Sequence, residues 1–118
     1  MLHALVTGGA GLIGSHIVDL LLKRGYKVRI FDNLEPATHL EGRPSWIPNA
    51  AEFMTGDMRN IDEVRSALKG IDVVFHQAAY GGFAPELTKM TDVNACGTAR
   101  LFEVIRVDNL PIKKIVTA

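Results

Sequence analysis

Leu5-Val6-Thr7-Gly8-Gly9-Ala10-Gly11-Leu12-Ile13-Gly14 decides the fold. An apolar run enters a glycine-rich turn, and the turn opens directly into the helical spacing of Ile13, Ile17, Leu20 and Leu21. The sequence therefore predicts a strand, a tight turn and a helix start. Glycine gives such a turn backbone angles that a Cβ forbids, and it lets the main chain approach a pyrophosphate whose charge rests on the free N–H groups of the helix. Eighteen residues after Gly14, Asp32 closes a second apolar run, Val28-Arg29-Ile30-Phe31. A carboxylate at that place is the expected acceptor for ribose hydroxyls. Strand, glycines, helix and acid, in that order, point to a dinucleotide site.

Composition bounds the remainder. The 118 residues are 47% hydrophobic and 22% charged, which is ordinary for one globular domain. Thirteen basic residues balance thirteen acidic ones, so no long-range field favours nucleic acid or an anionic membrane, and neither is expected as a partner. Cys96 is the one cysteine and cannot form an intrachain disulfide. The N-terminus enters strand-forming residues without a charged-then-apolar leader, and the apolar stretch Ile17 to Leu22 contains Asp19. A cytoplasmic setting is the expectation.

Short apolar runs alternate with helical patterns along the chain, which predicts βαβ units and a parallel sheet. Strands are expected at about residues 2–7, 27–32, 51–55, 71–76 and 112–117. A first helix is expected from Gly11 to Arg24, with Ile13, Ile17, Leu20 and Leu21 on its inner face and Gly25 at its C-terminal cap. Asn60, with Glu63 three positions later, signals a second helix with the stripe Ile61, Val64 and Leu68, stopped by Gly70. A long third helix runs from about Glu86 to Val107, with Met90, Val93, Leu101, Val104 and Ile105 inward. Residues 33–49 carry three prolines and no clean periodicity and read as a long loop, with Trp46 as its anchor over apolar surface. Cys96, beside Gly97, reads as a small core residue. The four histidines show no ligand spacing, and no metal site is assigned.

These elements fit a Rossmann-type, doubly wound α/β sheet in the order 3-2-1-4-5, its winding reversing between strands one and four. The ligand crevice is expected there. The glycine turn forms one lip and Gln77-Ala78-Ala79 the other, where small residues leave room for a ribose or a nicotinamide ring.

Several separated motifs resemble one family, the extended short-chain dehydrogenase/reductases, which include the NAD-dependent nucleotide-sugar epimerases and dehydratases. Thr7 to Gly14 is similar to its Thr-Gly-x-x-Gly-x-x-Gly turn and Phe31-Asp32-Asn33-Leu34 to the end of its second strand. Gly56-Asp57-Met58-Arg59 resembles its adenine-side motif, His76-Gln77-Ala78-Ala79 its fourth-strand motif, and Asn94 with Gly97-Thr98 a pattern inside its next helix. The resemblance implies a cofactor site for NAD formed by Gly8, Gly11, Leu12, Ile13, Gly14, Asp32, Asn33, Leu34, Asp57, Met58, Gln77, Ala78, Ala79, Tyr80 and Asn94. In that reading Asp57 bonds the adenine amine, Met58 packs beside the ring, Gln77 to Tyr80 line the nicotinamide ribose, and Asn94 holds that region. Asp32, with no base in Asn33-Leu34-Glu35, is expected to favour NAD over NADP.

The resemblance also implies a catalytic Ser or Thr after strand five, a Tyr-x-x-x-Lys helix and a sugar lobe, none of which the 118 residues contain. Residues 1–118 are accordingly expected to be an NAD-binding domain truncated after strand five, inactive alone and with an uncovered face near Ile112, Ile115 and Val116. No catalytic residue is assigned. The implied whole protein is a UDP- or dTDP-sugar 4-epimerase acting on a nucleotide sugar by transient oxidation, and a homodimer. A 4,6-dehydratase or reductase, an NAD-sensing protein without catalysis, and a module for another nucleotide on a similar turn are the alternatives. Tyr80-Gly81-Gly82-Phe83 departs from the longer, often basic or serine-containing stretch of the family.

Overall fold

The fold is a single five-stranded parallel sheet in the order β3-β2-β1-β4-β5, seen in a computed structural model that describes residues 1–36, 38–81 and 86–118. Gly82 and Phe83, expected in the loop after the fourth strand, lie outside those residues. The strands are β1 (His3–Thr7), β2 (Lys27–Asp32), β3 (Glu52–Thr55), β4 (Val73–His76) and β5 (Lys114–Thr117). Between them run α1 (Leu12–Lys23), α2 (Ile61–Ala67), and α3 (Leu87–Met90) continuing through a π-helical stretch, Thr91–Cys96, into α4 (Gly97–Val107). The Rossmann-type order read from the sequence is the observed one.

Register aligns the strand ends that matter. Thr7 pairs with Phe31 on one side and His76 on the other, Asp32 with Thr55, and His76 with Thr117. The C-terminal ends of β1, β2 and β4 therefore open at one edge of the sheet, where the winding reverses and ligands of such sheets bind. Because β1 is covered on both faces, all five of its residues are buried. Ala4, Val6, Val28 and Ile30 pack against Val18 and Leu21 of α1, while Leu5, Phe31 and Val74 pack against Val64 of α2 and Leu101 and Val104 of α4.

Four side-chain expectations are corrected. In α1 the buried residues are Gly14, Val18 and Leu21, while Ile13 and Leu20 are 61% and 49% exposed. The cause is Gly14, where a Cβ would lie 2.1 Å from the Gly8 carbonyl oxygen. That contact fixes the rotation of the helix, and the apolar residues one position away turn outward. Ile61 likewise stands at the exposed first position of α2. Cys96 is exposed, because Val93, Gly97, Leu101 and Val104 form the buried stripe and it lies beside them. Gly97 makes the closest approach there, its missing Cβ falling 2.9 Å from Met58 Cβ. In the long loop Ile47, not Trp46, is the anchor: Ile47 is buried against the α1 face, and Trp46 is 59% exposed.

The ends of α1 and α2 form as read. Gly25 has φ +82°, and its N–H and that of Tyr26 bond the carbonyls of Leu22 and Leu21, closing α1. The Asn60 side chain accepts from the N–H groups of Asp62 and Glu63, but Glu63 reaches the N–H of Asp57, one turn beyond its usual capping partner. Among the described residues no helix is long and apolar enough to cross a membrane. Of the face expected to be uncovered, only Val116 of the edge strand β5 is exposed, at 39%; Ile112 and Ile115 pack against the core that holds Leu101 and Val104.

Gly14→Ala must displace the Gly8 turn, so urea unfolding should show a loss of about 3 kcal/mol, the scale of an overpacked core site. Gly25→Ala, at positive φ but with open space around it, should cost about 1 kcal/mol.

Candidate functional site

A crevice of about 120 Å³ opens at the β1–β4 junction. The glycine turn supplies Gly8 and Gly11, the end of β2 supplies Asp32 and Asn33, and the end of β3 supplies Asp57 and Met58. Gln77, Ala78, Ala79 and Tyr80 form the opposite lip. Ten of the residues expected at the site thus come together. Leu12 and Ile13 stand exposed at the start of α1 beside the crevice, and Gly14 lies buried beneath Gly8. Leu34 and Asn94 do not line the crevice: Leu34 N–H bonds Asp32, and Asn94, itself exposed, bonds Tyr80. Phe31, Glu35, Thr38, His39, Gly56 and Val93 also line it and were not anticipated. Phe31 and Val93 read as core residues, and Thr38 and His39 fall in a loop without periodicity.

On the first lip, Gly8 adopts φ +69°, and a Cβ there would meet the backbone of Ala78 at 2.9 Å. The turn therefore sits directly on the strand-four exit. Gly11 N–H bonds the Gly8 carbonyl at 3.0 Å, and Gly11, as the N-cap of α1, offers no side chain to the first-turn amides. No acid occupies that turn. The positive end of a twelve-residue helix is left uncapped at the crevice, in contrast with Asn60 on α2. Asp32 is 8% exposed. Its Oδ2 accepts from Ala10 N–H at 3.1 Å and its Oδ1 from Leu34 N–H at 2.8 Å, which leaves one acceptor position on each oxygen. The Leu34 contact comes with a left-handed backbone, φ 54°. His39 Nε2 lies 4.0 Å from Asp32 Oδ1.

Asp57 is differently placed. Its Oδ1 accepts from Arg59 N–H and Nε, and its Oδ2 from Arg59 Nη2 at 2.7 Å and Asn33 Nδ2 at 3.1 Å. The Arg59 guanidinium holds its carboxyl well below the usual carboxylate range. All four acceptor positions are filled, so Asp57 ties β3 to the β2 exit.

The second lip is held by a directed chain of hydrogen bonds. The Thr98 hydroxyl donates to the Asn94 carbonyl at 2.7 Å, so its oxygen accepts from His76 Nε2–H at 2.9 Å. His76 Nδ1 is then bare and accepts from the Thr7 hydroxyl at 2.7 Å. The Thr7 oxygen in turn accepts the N–H groups of Gln77 and Ala78. Asn94 closes the chain: its Oδ1 accepts from Tyr80 N–H at 2.7 Å and its Nδ2 donates to the Tyr80 carbonyl at 2.8 Å. Asn94 belongs to the π-helical stretch, a form that recurs at functional sites. Burial pushes the His76 imidazole below its ordinary 6.5 and keeps it neutral, as both bonds require.

Residues 4–118 match the family model described as the NAD dependent epimerase/dehydratase family. The chain belongs to that family. Among its relatives are a bifunctional UDP-glucose 4-epimerase and UDP-xylose 4-epimerase of Pisum sativum, 36% identical over 95% of this chain and 35% of the pea protein, and the mouse sterol-4-alpha-carboxylate 3-dehydrogenase, decarboxylating, 33% identical over 86% of the chain and 25% of the enzyme. The crystal structure of the Thermus thermophilus UDP-glucose 4-epimerase in complex with NAD superposes with a TM-score of 0.81 at 34% identity, covering 97% of this chain and 36% of that one. The chain thus spans about a third or less of the length of these epimerase/dehydratase-family proteins.

His76 makes stability pH-dependent. Its folded pKa lies below the unfolded value, so the unfolded chain takes up the proton first, and stability is full above pH 6.5 and falls as pH drops below it. His3, whose Nε2 is buried without a hydrogen-bond partner among the described residues, is shifted the same way, chiefly by burial. Urea midpoints from pH 8 to 5 should fall, and His76→Gln should flatten the slope.

Proposed function

We propose that this chain is the NAD-binding part of a nucleotide-sugar 4-epimerase. The observation that supports it best is the joining, in one crevice, of an uncapped helix N-terminus behind a Cβ-free turn and a buried carboxylate with two open acceptor positions. Gly8 and Gly11 leave space for a diphosphate, and the first-turn amides of α1, at Leu12, Ile13 and Gly14, supply its donors. Asp32 takes the adenosine ribose hydroxyls, with Asn33 and Leu34 beside them. Met58 flanks the adenine, while contact of its amine with Asp57 requires displacing a donor from Asn33 or Arg59. Gln77 to Tyr80, braced by Asn94, line the nicotinamide half. A bound nicotinamide supplies reversible hydride acceptance from a secondary carbinol. This chain's part is to bind and orient, and the acid–base groups belong to the whole protein.

The mouse relative's name favours a second reading, oxidation of a ring hydroxyl on a sterol. Both readings use the same dinucleotide site, and the whole protein separates them by interconverting UDP-glucose and UDP-galactose or by oxidising a 3-hydroxysterol.

Asp32 is the residue that tests the site. Its charge repels a 2′-phosphate and accepts a diol, so NAD should bind on the order of a hundredfold more tightly than NADP, about 2.7 kcal/mol. Calorimetric titration of both dinucleotides should show that preference, and Asp32→Ala should weaken NAD and narrow the gap. Equal affinities in the unaltered chain count against the assignment.

A further inference from the structure

Three cations bond residues of the crevice wall among the described residues, each held by a carboxylate, the third, Arg100, reaching the Met58 carbonyl while paired with Asp92. Arg59 is taken by Asp57, as above. The second, Lys89, comes from α3, 54 residues from its partner: its Nζ donates to Glu35 Oε1 at 2.8 Å and lies 4.5 Å from the centre of the Tyr80 ring. The pair is mostly shielded, with Glu35 and Lys89 side chains 18% and 17% exposed. Glu35 and Tyr80 line the same crevice as Asp32. The aim of Glu35 is built into the backbone: its N–H donates to Asn33 Oδ1 while Leu34, in the left-handed region, donates to Asp32. Arg43, the nearest Arg or Lys following Glu35 in sequence, stacks on Phe53 instead.

We propose that Glu35 is a second determinant of cofactor choice: by engaging Lys89 it withholds from a 2′-phosphate an ammonium that reaches the crevice wall among the described residues. The inference rests on the dinucleotide reading of the crevice. A phosphate beside Asp32 meets like charge and needs a free cation to offset it. With Glu35 present, Lys89 is spent on the 2.8 Å hydrogen bond to Glu35 Oε1, which also shifts its ammonium upward. Without the Glu35 charge, the four-carbon stem of Lys89 is free to turn its ammonium toward the ribose.

The test titrates NAD and NADP calorimetrically into the 118-residue chain and its variants Glu35→Gln, E35Q/K89M and E35Q/K89R. Glu35→Gln should narrow the NAD-to-NADP affinity ratio about tenfold, through tighter NADP. E35Q/K89M should lose most of that gain, E35Q/K89R should keep it, and about 0.5 M salt should diminish it. A ratio unmoved in Glu35→Gln while the unaltered chain binds NAD overturns this inference alone, as does a gain that survives in full in E35Q/K89M. An unaltered chain that binds neither dinucleotide overturns the reading of the crevice and this inference with it.

Discussion

The contact between Gly14 and the carbonyl of Gly8 is the constraint on which the rest of the molecule depends. At a separation no side chain tolerates, it presses the first turn of α1 onto the exit of β1. This one approach fixes three things. It sets the rotation of α1, and with it the choice of Val18 and Leu21 as core residues. It keeps the helix's first amides at the crevice edge. It also brings the Gly8 turn against the backbone of Ala78, so that both lips are built on the same atoms. Close packing makes such a contact all-or-none, since a core at crystal density has no slack to take up a methyl group.

The opposite lip is secured by polar bonds. Thr7, His76, Thr98 and Asn94 form a chain in which every hydroxyl and ring nitrogen has a partner, and it ends on both backbone groups of Tyr80. The network is buried at Thr7 and His76, where losing a partner leaves an orphaned group at full desolvation cost, and opens toward solvent at Thr98 and Asn94. It spans β1, β4 and the helical run that follows, so the position of Tyr80 is set by the packing of the whole sheet edge.

Much of the fold is legible because its signals are local. The glycine turn, the acid at the end of Phe31-Asp32, the Asn60 cap and the alternating runs each lie within a dozen residues, and together they allow few topologies. The inner face of α1 is legible only in part, because four apolar residues at helical spacing give no sign that a glycine contact will keep Ile17 and Leu21 inward and turn Ile13 and Leu20 outward. Trp46 and Cys96 mislead for a related reason: bulk or smallness marks a candidate for burial, and only the neighbours decide which candidate is taken. Asp57 is visible in its motif, but its surroundings are not, since Asn33 and Arg59 converge on it from two different strand ends.

The amino-acid sequence by itself determined the order of the elements, the place where the sheet reverses and, at the crevice, the glycine turn, Asp32 and the Gln77-Ala78-Ala79 lip, because backbone preference and hydrophobic period act over one or two turns. The family resemblance supplied the other residues expected there. Tertiary structure alone decided which acceptors remain open. It left Asp32 with two, filled every position of Asp57, made His76 a neutral strut and joined Glu35 to Lys89 across 54 residues. Hydrogen bonding and charge pairing depend on distances of a few tenths of an ångström between segments remote in the chain, and those distances exist only once the sheet has closed the gap.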